Sequence, residues 1–267
     1  MSERNEEQST APADREGVGA LRVLALLDAS RPSLAALQAA VELATNRSAE
    51  LLALYVEDVN LVRSAAFPFA RELGGLTGQP RPFDPGTVED WLRRQSEQVN
   101  AALEAAVRGR HLRHSLHVAR GQVVAEALAL ATRRDLLVLG RAGASAAFGG
   151  GIGSTTRALV RRAPCSVLVW DESRPLRAGP VLLVTANGEP DTMSEAWRIQ
   201  ALVDWLAARG IATGLQRMDR PAPARLLERV NRERGGALIV TRRYLDELGA
   251  EAAQVLDQLE LPVLVTP

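Results

Sequence analysis

The 267 residues, 46% hydrophobic and 24% charged, have the make-up of an ordinary globular chain with material for one large core or two small ones. The formal net charge is zero and no face-wide basic run occurs, so no nucleic-acid partner is expected; no apolar run approaches the roughly 20 residues of a bilayer span, so no membrane partner is expected either. All 32 lysine-or-arginine positions are arginine, which excludes a P-loop or kinase mechanism that needs a lysine on the β/γ-phosphates.

Cys165 is the single cysteine, so neither an internal disulfide framework nor a cysteine-rich zinc site is expected, and a reducing, cytoplasmic setting suits it. Residues 1–18 are polar with both signs of charge and lack the basic start and apolar stretch of a signal peptide; they read as a disordered tail.

Along the chain, Leu21–Leu27 reads as a buried strand and Asp28-Ala29-Ser30 as the turn after it. Ser30 can cap a helix whose first turn holds Pro32 and whose apolar face is Leu34, Leu37, Val41 and Ala44, ending near Thr45-Asn46. Leu51–Val56 is a second strand. Residues 60–88, with Pro68, Gly74, Gly75, Gly78, Pro80, Pro82 and Pro85, read as a loop-rich excursion, either a lid or an insertion. A helix follows over Trp91–Val107, a strand over His114–Ala119, a helix over Gln122–Ala131 and a strand over Leu136–Leu139 ending in Gly140. The helix Ser154–Arg162 must stop before Ala163-Pro164, and Ser166–Trp170 is a fifth strand. This alternation predicts an α/β fold, with parallel strands and helices on both faces.

Beyond Trp170 the pattern restarts, with strands at Val181–Thr185, Ile211–Leu215, Ala237–Thr241 and Val263–Thr266 and helices at Ser194–Ala208, Ala224–Arg232 and Gly249–Leu259. Both halves end alike, in Pro164-Cys165-Ser166-Val167-Leu168-Val169 and Pro262-Val263-Leu264-Val265. A duplication is predicted: residues 19–173, a linker at 174–179, and residues 180–267, as two tandem open parallel sheets of five strands each.

Gly140-Arg141-Ala142-Gly143, nine residues, then Gly153-Ser154-Thr155 form G-x2-G-x9-G-S-T between a buried strand and a helix. Phosphates need close backbone N–H groups, which glycine permits, a helix N-terminus and hydroxyl donors; Gly153, Ser154 and Thr155 supply all three. Arg141 could neutralise phosphate charge. Ligands of open parallel sheets settle at strand carboxyl ends where the order reverses, so Asp28 and Gly140 flank one predicted crevice, with Asp28 accepting from ribose hydroxyls.

With these features in place, Leu21–Trp170 resembles a universal stress protein domain, an adenine-nucleotide α-hydrolase-like fold whose nucleotide-binding members carry G-x2-G-x9-G-(S/T) after the fourth strand and an Asp after the first. The resemblance implies that Asp28 meets ribose, backbone at Val56 meets adenine, and Gly140, Gly143, Gly153, Ser154 and Thr155 meet ribose and phosphates. It implies ATP, with or without Mg2+, as ligand, and a role in stress response. Gly149-Gly150-Gly151 makes this loop richer in glycine than in relatives, which predicts a looser loop, and Ala29 stands where many relatives have glycine.

In the second half Val240-Thr241-Arg242-Arg243-Tyr244 lacks G-x2-G and Thr185-Ala186-Asn187 lacks the aspartate, so it is expected to bind no nucleotide. It is expected instead to pack on the first half as the other subunit of a relative's homodimer would, an intramolecular pseudo-dimer that leaves further homodimerisation and a protein partner open. His111, His114 and His117 enter a strand, where side chains alternate faces, and no protein metal site is expected. Trp91, Trp170, Trp197 and Trp205 read as core or interface fillers. The expected function is an adenine-nucleotide sensor or regulator without assigned catalytic residues. The rivals are a slow ATPase or transfer enzyme, needing Asp28, Glu57 or Asp58 because Gly140–Arg162 has no Asp, Glu or His, and a nucleotide-free interaction module.

Overall fold

The computed structural model describes residues 22–73, 78–142, 151–170, 176, 178–185, 193–233 and 235–267. In chain order these form β1 (Arg22–Leu27), α1 (Arg31–Asn46), β2 (Glu50–Asp58), α2 (Val59–Ala65), β3 (Arg71–Leu73), β4 (Pro80–Pro82), α3 (Pro85–Val107), β5 (His114–Gly121), α4 (Val123–Leu130), β6 (Asp135–Gly140), α5 (Ser154–Arg162) and β7 (Ser166–Trp170). They continue as β8 (Gly179–Thr185), α6 (Met193–Ala208), β9 (Ala212–Asp219), α7 (Pro223–Glu233), β10 (Ala237–Thr241), α8 (Arg242–Leu248), α9 (Glu251–Gln258) and β11 (Val263–Thr266).

Nine strands make one sheet in the order β5-β2-β1-β6-β7-β11-β10-β8-β9, and β3-β4 is a separate hairpin. Its inner strands are near-continuous apolar runs because both faces are covered, every residue of β6 and β7 being buried, whereas the edge strands β5 and β9 are largely exposed. One core layer sits under α1, α3 and α6, around Leu37, Leu103 and Leu206. The opposite layer sits under α4, α5, α7, α8 and α9, around Ala127, Leu159, Leu226, Tyr244 and Leu256. Both layers run through both halves of the sheet.

All pairings within the nine strands are parallel except β7 with β11, where Val167, Leu168 and Val169 oppose Val265, Leu264 and Val263. Two Val-Leu-Val segments thus meet antiparallel about the Leu168–Leu264 pair, the register that a two-fold axis between equivalent strands produces. Across this seam Trp170 packs on Trp205 at 4.9 Å between ring centroids, with the Arg209 guanidinium over both rings. Trp170 and Trp205 are buried fillers as expected, whereas Trp91 is 40% exposed and the Trp197 side chain lies outside the described residues.

Several expectations change. The second half contributes four strands among the described residues, not five, and shares one sheet with the first half. A single helix, α7, joins β9 to β10, whereas β2 reaches β6 through α2, α3, β5 and α4; one helix–strand unit is missing, so β9 is an edge. Within 60–88, α2 and the β3-β4 hairpin form, and α3 begins at Pro85 rather than near Trp91, because Asp84 accepts from the Thr87 N–H at 2.9 Å and proline fits a first helical turn. Likewise α8 starts at Arg242, capped by Thr241 accepting from the Tyr244 N–H. The expected tail at 1–18 and residues 174, 175 and 177 of the expected linker lie outside the described residues, and Gly179 already belongs to β8.

Candidate functional site

The chain leaves β1 for β2 on one side and returns to β6 on the other, so the sheet order reverses between β1 and β6 and a crevice opens at their carboxyl ends. Asp28 leaves β1 there; its Oδ1 accepts from the Ser30 N–H at 3.0 Å, and Ala29 between them is left-handed at φ 58°. Ser30 caps α1 by accepting from the Ser33 N–H, while the Ser33 hydroxyl donates to the Ser30 carbonyl at 3.0 Å and accepts from the Asp28 N–H.

On the β6 side Gly140 touches the start of α1. A Cβ there would stand 2.8 Å from the Pro32 carbonyl carbon and oxygen. The Thr156 hydroxyl donates to the Gly140 carbonyl at 3.0 Å, and the Gly153 N–H to the Arg141 carbonyl at 3.0 Å, tying the ends of the connection together. The N-cap of α5 is Gly153, with no side-chain cap and no acid in the first turn, while Arg161 and Arg162 occupy the last turn. Among the described residues no side chain caps this end, which is the positive end of the helix dipole.

Asp28, Val56, Gly140, Gly153, Ser154 and Thr155 line one open cleft of about 180 Å³. Its walls combine apolar side chains such as Leu26, Val56 and Val123, one carboxylate at Asp28, and the uncapped α5 terminus. That set suits a ligand with an apolar body, hydroxyls and an anionic end. Gly143 lies outside the described residues. Sequence reasoning missed Ser33, Val123 and Thr156; for Thr156 the signal was its place one residue past Gly-Ser-Thr, on the turn that must face the strand end. None of the described residues between 59 and 88 lines the cleft.

Arg141 is corrected. Its side chain does not line the cleft but is buried at 8% exposure, donating to the carbonyls of Leu256 at 3.0 Å, Asp257 at 2.6 Å and Leu259 at the C-terminus of α9. Arg242 mirrors it from the second half, donating to Val160 at 2.9 Å and Cys165 at 3.1 Å at the end of α5. The residue just past β6 caps α9 and the residue just past β10 caps α5, a reciprocal exchange in which Arg141 is buried and Arg242 half-buried. Asp257 also reaches the first half, accepting from the Ile152 N–H at 2.8 Å and pairing with Arg157 at 3.3 Å. A carboxylate therefore touches the Gly140–Gly153 connection although that stretch contains none.

The remaining titratable groups have structural surroundings. Cys165 is buried, and burial, reinforced by Asp135, pushes its thiol up to about 11, which disfavours the thiolate. The Tyr55 hydroxyl donates to the Leu92 carbonyl, and burial, with smaller contributions from Glu57 and Asp28, pushes it up to about 12. Arg22 forms a two-pronged pair with the buried Asp135 at 2.9 and 2.6 Å, which raises the Arg22 pKa chiefly through that hydrogen bond. No helix of the described residues is long and apolar enough to cross a membrane.

The fold and the cleft together define an α/β protein with a mostly parallel sheet and an open cleft at its strand switch. Residues 20–170 match the universal stress protein family, over half the chain, and the chain belongs to that family, as the resemblance implied. No curated protein matches it. It is similar to the crystal structure of a universal stress protein from Archaeoglobus fulgidus at 13% identity and TM-score 0.54, covering 92% of this chain and 96% of that one. A putative universal stress protein from Pseudomonas aeruginosa is similar at 15% identity and TM-score 0.51, covering 92% and 93%. UspA from Lactobacillus plantarum is 23% identical over 58% of this chain and 100% of its own, at TM-score 0.44. The first two likenesses concern the fold, and they extend beyond residues 20–170 into the second half.

Proposed function

We propose that the cleft binds one adenine nucleotide, ATP, and that its occupancy makes the protein a sensor or regulator in stress response. The observation that carries this is the gathering of Asp28, Val56, Gly140, Gly153, Ser154 and Thr155 around one opening at the strand switch, beside an α5 terminus with neither cap nor acid. In this reading Asp28 accepts from ribose hydroxyls, Val56 lies along the base, and the α5 N–H groups with the Ser154 and Thr155 hydroxyls hold phosphates, with or without Mg2+.

The chain is read as a pseudo-dimer, residues 19–173 carrying the site and 180–267 none. At the equivalent place β10 runs directly into α8, and α9 carries its own acid, Glu251, in its first turn, where α5 has none. A resident carboxylate answers the dipole that a phosphate would otherwise meet. A cytoplasmic location accompanies this reading, with Cys165 as a buried thiol. The enzyme alternative lacks support in the cleft, where Asp28 is the only carboxylate among the described lining residues and already holds the Ser30 N–H.

The test is to purify the protein without added nucleotide, denature it and identify released small molecules by mass spectrometry. An adenine nucleotide present in the wild type and absent from a Ser154→Asp variant supports the reading. A folded wild type that neither carries nor binds any nucleotide makes the glycine connection purely structural.

A further inference from the structure

One residue of the second half holds both ends of the connection that borders the cleft. The Asp257 carbonyl accepts from the Arg141 guanidinium at 2.6 Å, one residue beyond β6. Its carboxylate accepts from the Ile152 N–H at 2.8 Å and pairs with Arg157 in the first turns of α5. Gly151 permits the approach, since a Cβ there would lie 3.1 Å from Asp257 Oδ1. Neither Asp257 nor Ile152 nor Arg157 lines the cleft, so the grip is on the outer side of the connection.

We propose that Asp257 is a positioning residue for phosphate binding: the second half, having no site of its own, fixes the entry to α5, whose first residues line the cleft. This rests on the nucleotide reading above and adds to it a partner that the sequence does not suggest. With Gly151 and Gly153 on either side of Ile152, the entry to α5 has chain freedom that binding a phosphate would have to remove. Anchoring Ile152 and Arg157 in advance removes part of that freedom before the ligand arrives. The glycine at 151 then serves the contact between halves rather than looseness.

The geometry also separates anchoring from charge. Asp257 brings a negative charge toward a place meant for phosphate, so if charge dominated, removing it would tighten ATP binding. If anchoring dominates, removing it weakens ATP binding and leaves adenosine, which has no phosphates, unaffected.

The experiment titrates ATP and adenosine into the full chain as wild type, Asp257→Ala and Asp257→Asn, with amide hydrogen exchange followed at Ile152. Asp257→Ala is expected to weaken ATP by about 5- to 20-fold, in the usual range of coupling between sites. Adenosine should change by less than about twofold, and Asp257→Asn, which keeps an acceptor for the Ile152 N–H, should fall between wild type and alanine. Exchange at Ile152 should quicken in the alanine variant. Unchanged or tighter ATP binding by Asp257→Ala overturns the proposal, as does an equal loss for ATP and adenosine. If the wild type binds neither ligand, the nucleotide reading itself fails and takes this proposal with it.

Discussion

Gly140 and Pro32 are in backbone contact, so the end of β6 and the first turn of α1 define one wall of the cleft by their closeness. A Cβ on Gly140 would sit 2.8 Å from the Pro32 carbonyl carbon and oxygen, and backbone cannot swing aside as a side chain can. Gly140→Ala is therefore expected to cost about 1–3 kcal/mol, the usual range for overpacking a tight site. Denaturant unfolding measures it, and a neutral result would mean that α1 can slide.

Ala29 adopts φ 58°, where an L side chain crowds its own carbonyl. Ala29→Gly should relieve that strain but gives the unfolded chain more freedom, leaving a net gain of about 0.5–1 kcal/mol. A rise in the denaturation midpoint at constant slope is the expected reading.

Ser154 begins α5, which has no acid in its first turn. An aspartate there should leave stability unchanged or add about 0.3–1 kcal/mol through the helix dipole. The same charge should repel phosphates and weaken ATP by at least about tenfold, as like charges facing each other in an interface do. Thermal unfolding and calorimetric titration together separate this from a folding defect.

Much of this was legible in the sequence. Strands such as Ser166–Trp170 and Ala237–Thr241 are apolar runs bounded by proline, glycine or charge, and α5 follows from Gly153-Ser154-Thr155 and Pro164. Asp28 and Gly140, 112 positions apart, meet because strand order in a doubly wound sheet is constrained by its crossovers. What stayed hidden was the side-chain direction at the seam. Arg141 sits inside the glycine motif but turns to α9, and Asp257 belongs to a helix whose sequence carries no ligand pattern. The single sheet and its missing strand depend on which edges pair, and local periodicity does not encode that choice.

Arg141 and Arg242 should both matter for stability, unequally. Removing the more buried Arg141 leaves three carbonyls at the α9 terminus without their donor, and Arg141→Ala is expected to cost about 2–4 kcal/mol. Arg242→Ala, with two acceptors at the end of α5, should cost about 1–2 kcal/mol. Equal small effects in chemical denaturation would contradict a seam held by these caps.

Stability should fall in alkali. Cys165 moves from 9.0 to about 11, and Tyr55 and Tyr244 each from 10.0 to about 12, chiefly by burial. All three bind their protons more tightly folded than unfolded, so their contribution is complete below about pH 9 and is lost as the pH rises towards 12. Tyr244→Phe should make the alkaline decline shallower in midpoint-against-pH measurements, although it removes the hydrogen bond to the Pro221 carbonyl.

The most direct test of the central claim is the stoichiometry of ATP binding to the full chain by calorimetric titration. One site per chain, abolished by Ser154→Asp, is the result expected of a cleft in the first half alone. Two sites per chain would contradict the assignment of a silent second half, and no binding by a folded chain would contradict the nucleotide function itself.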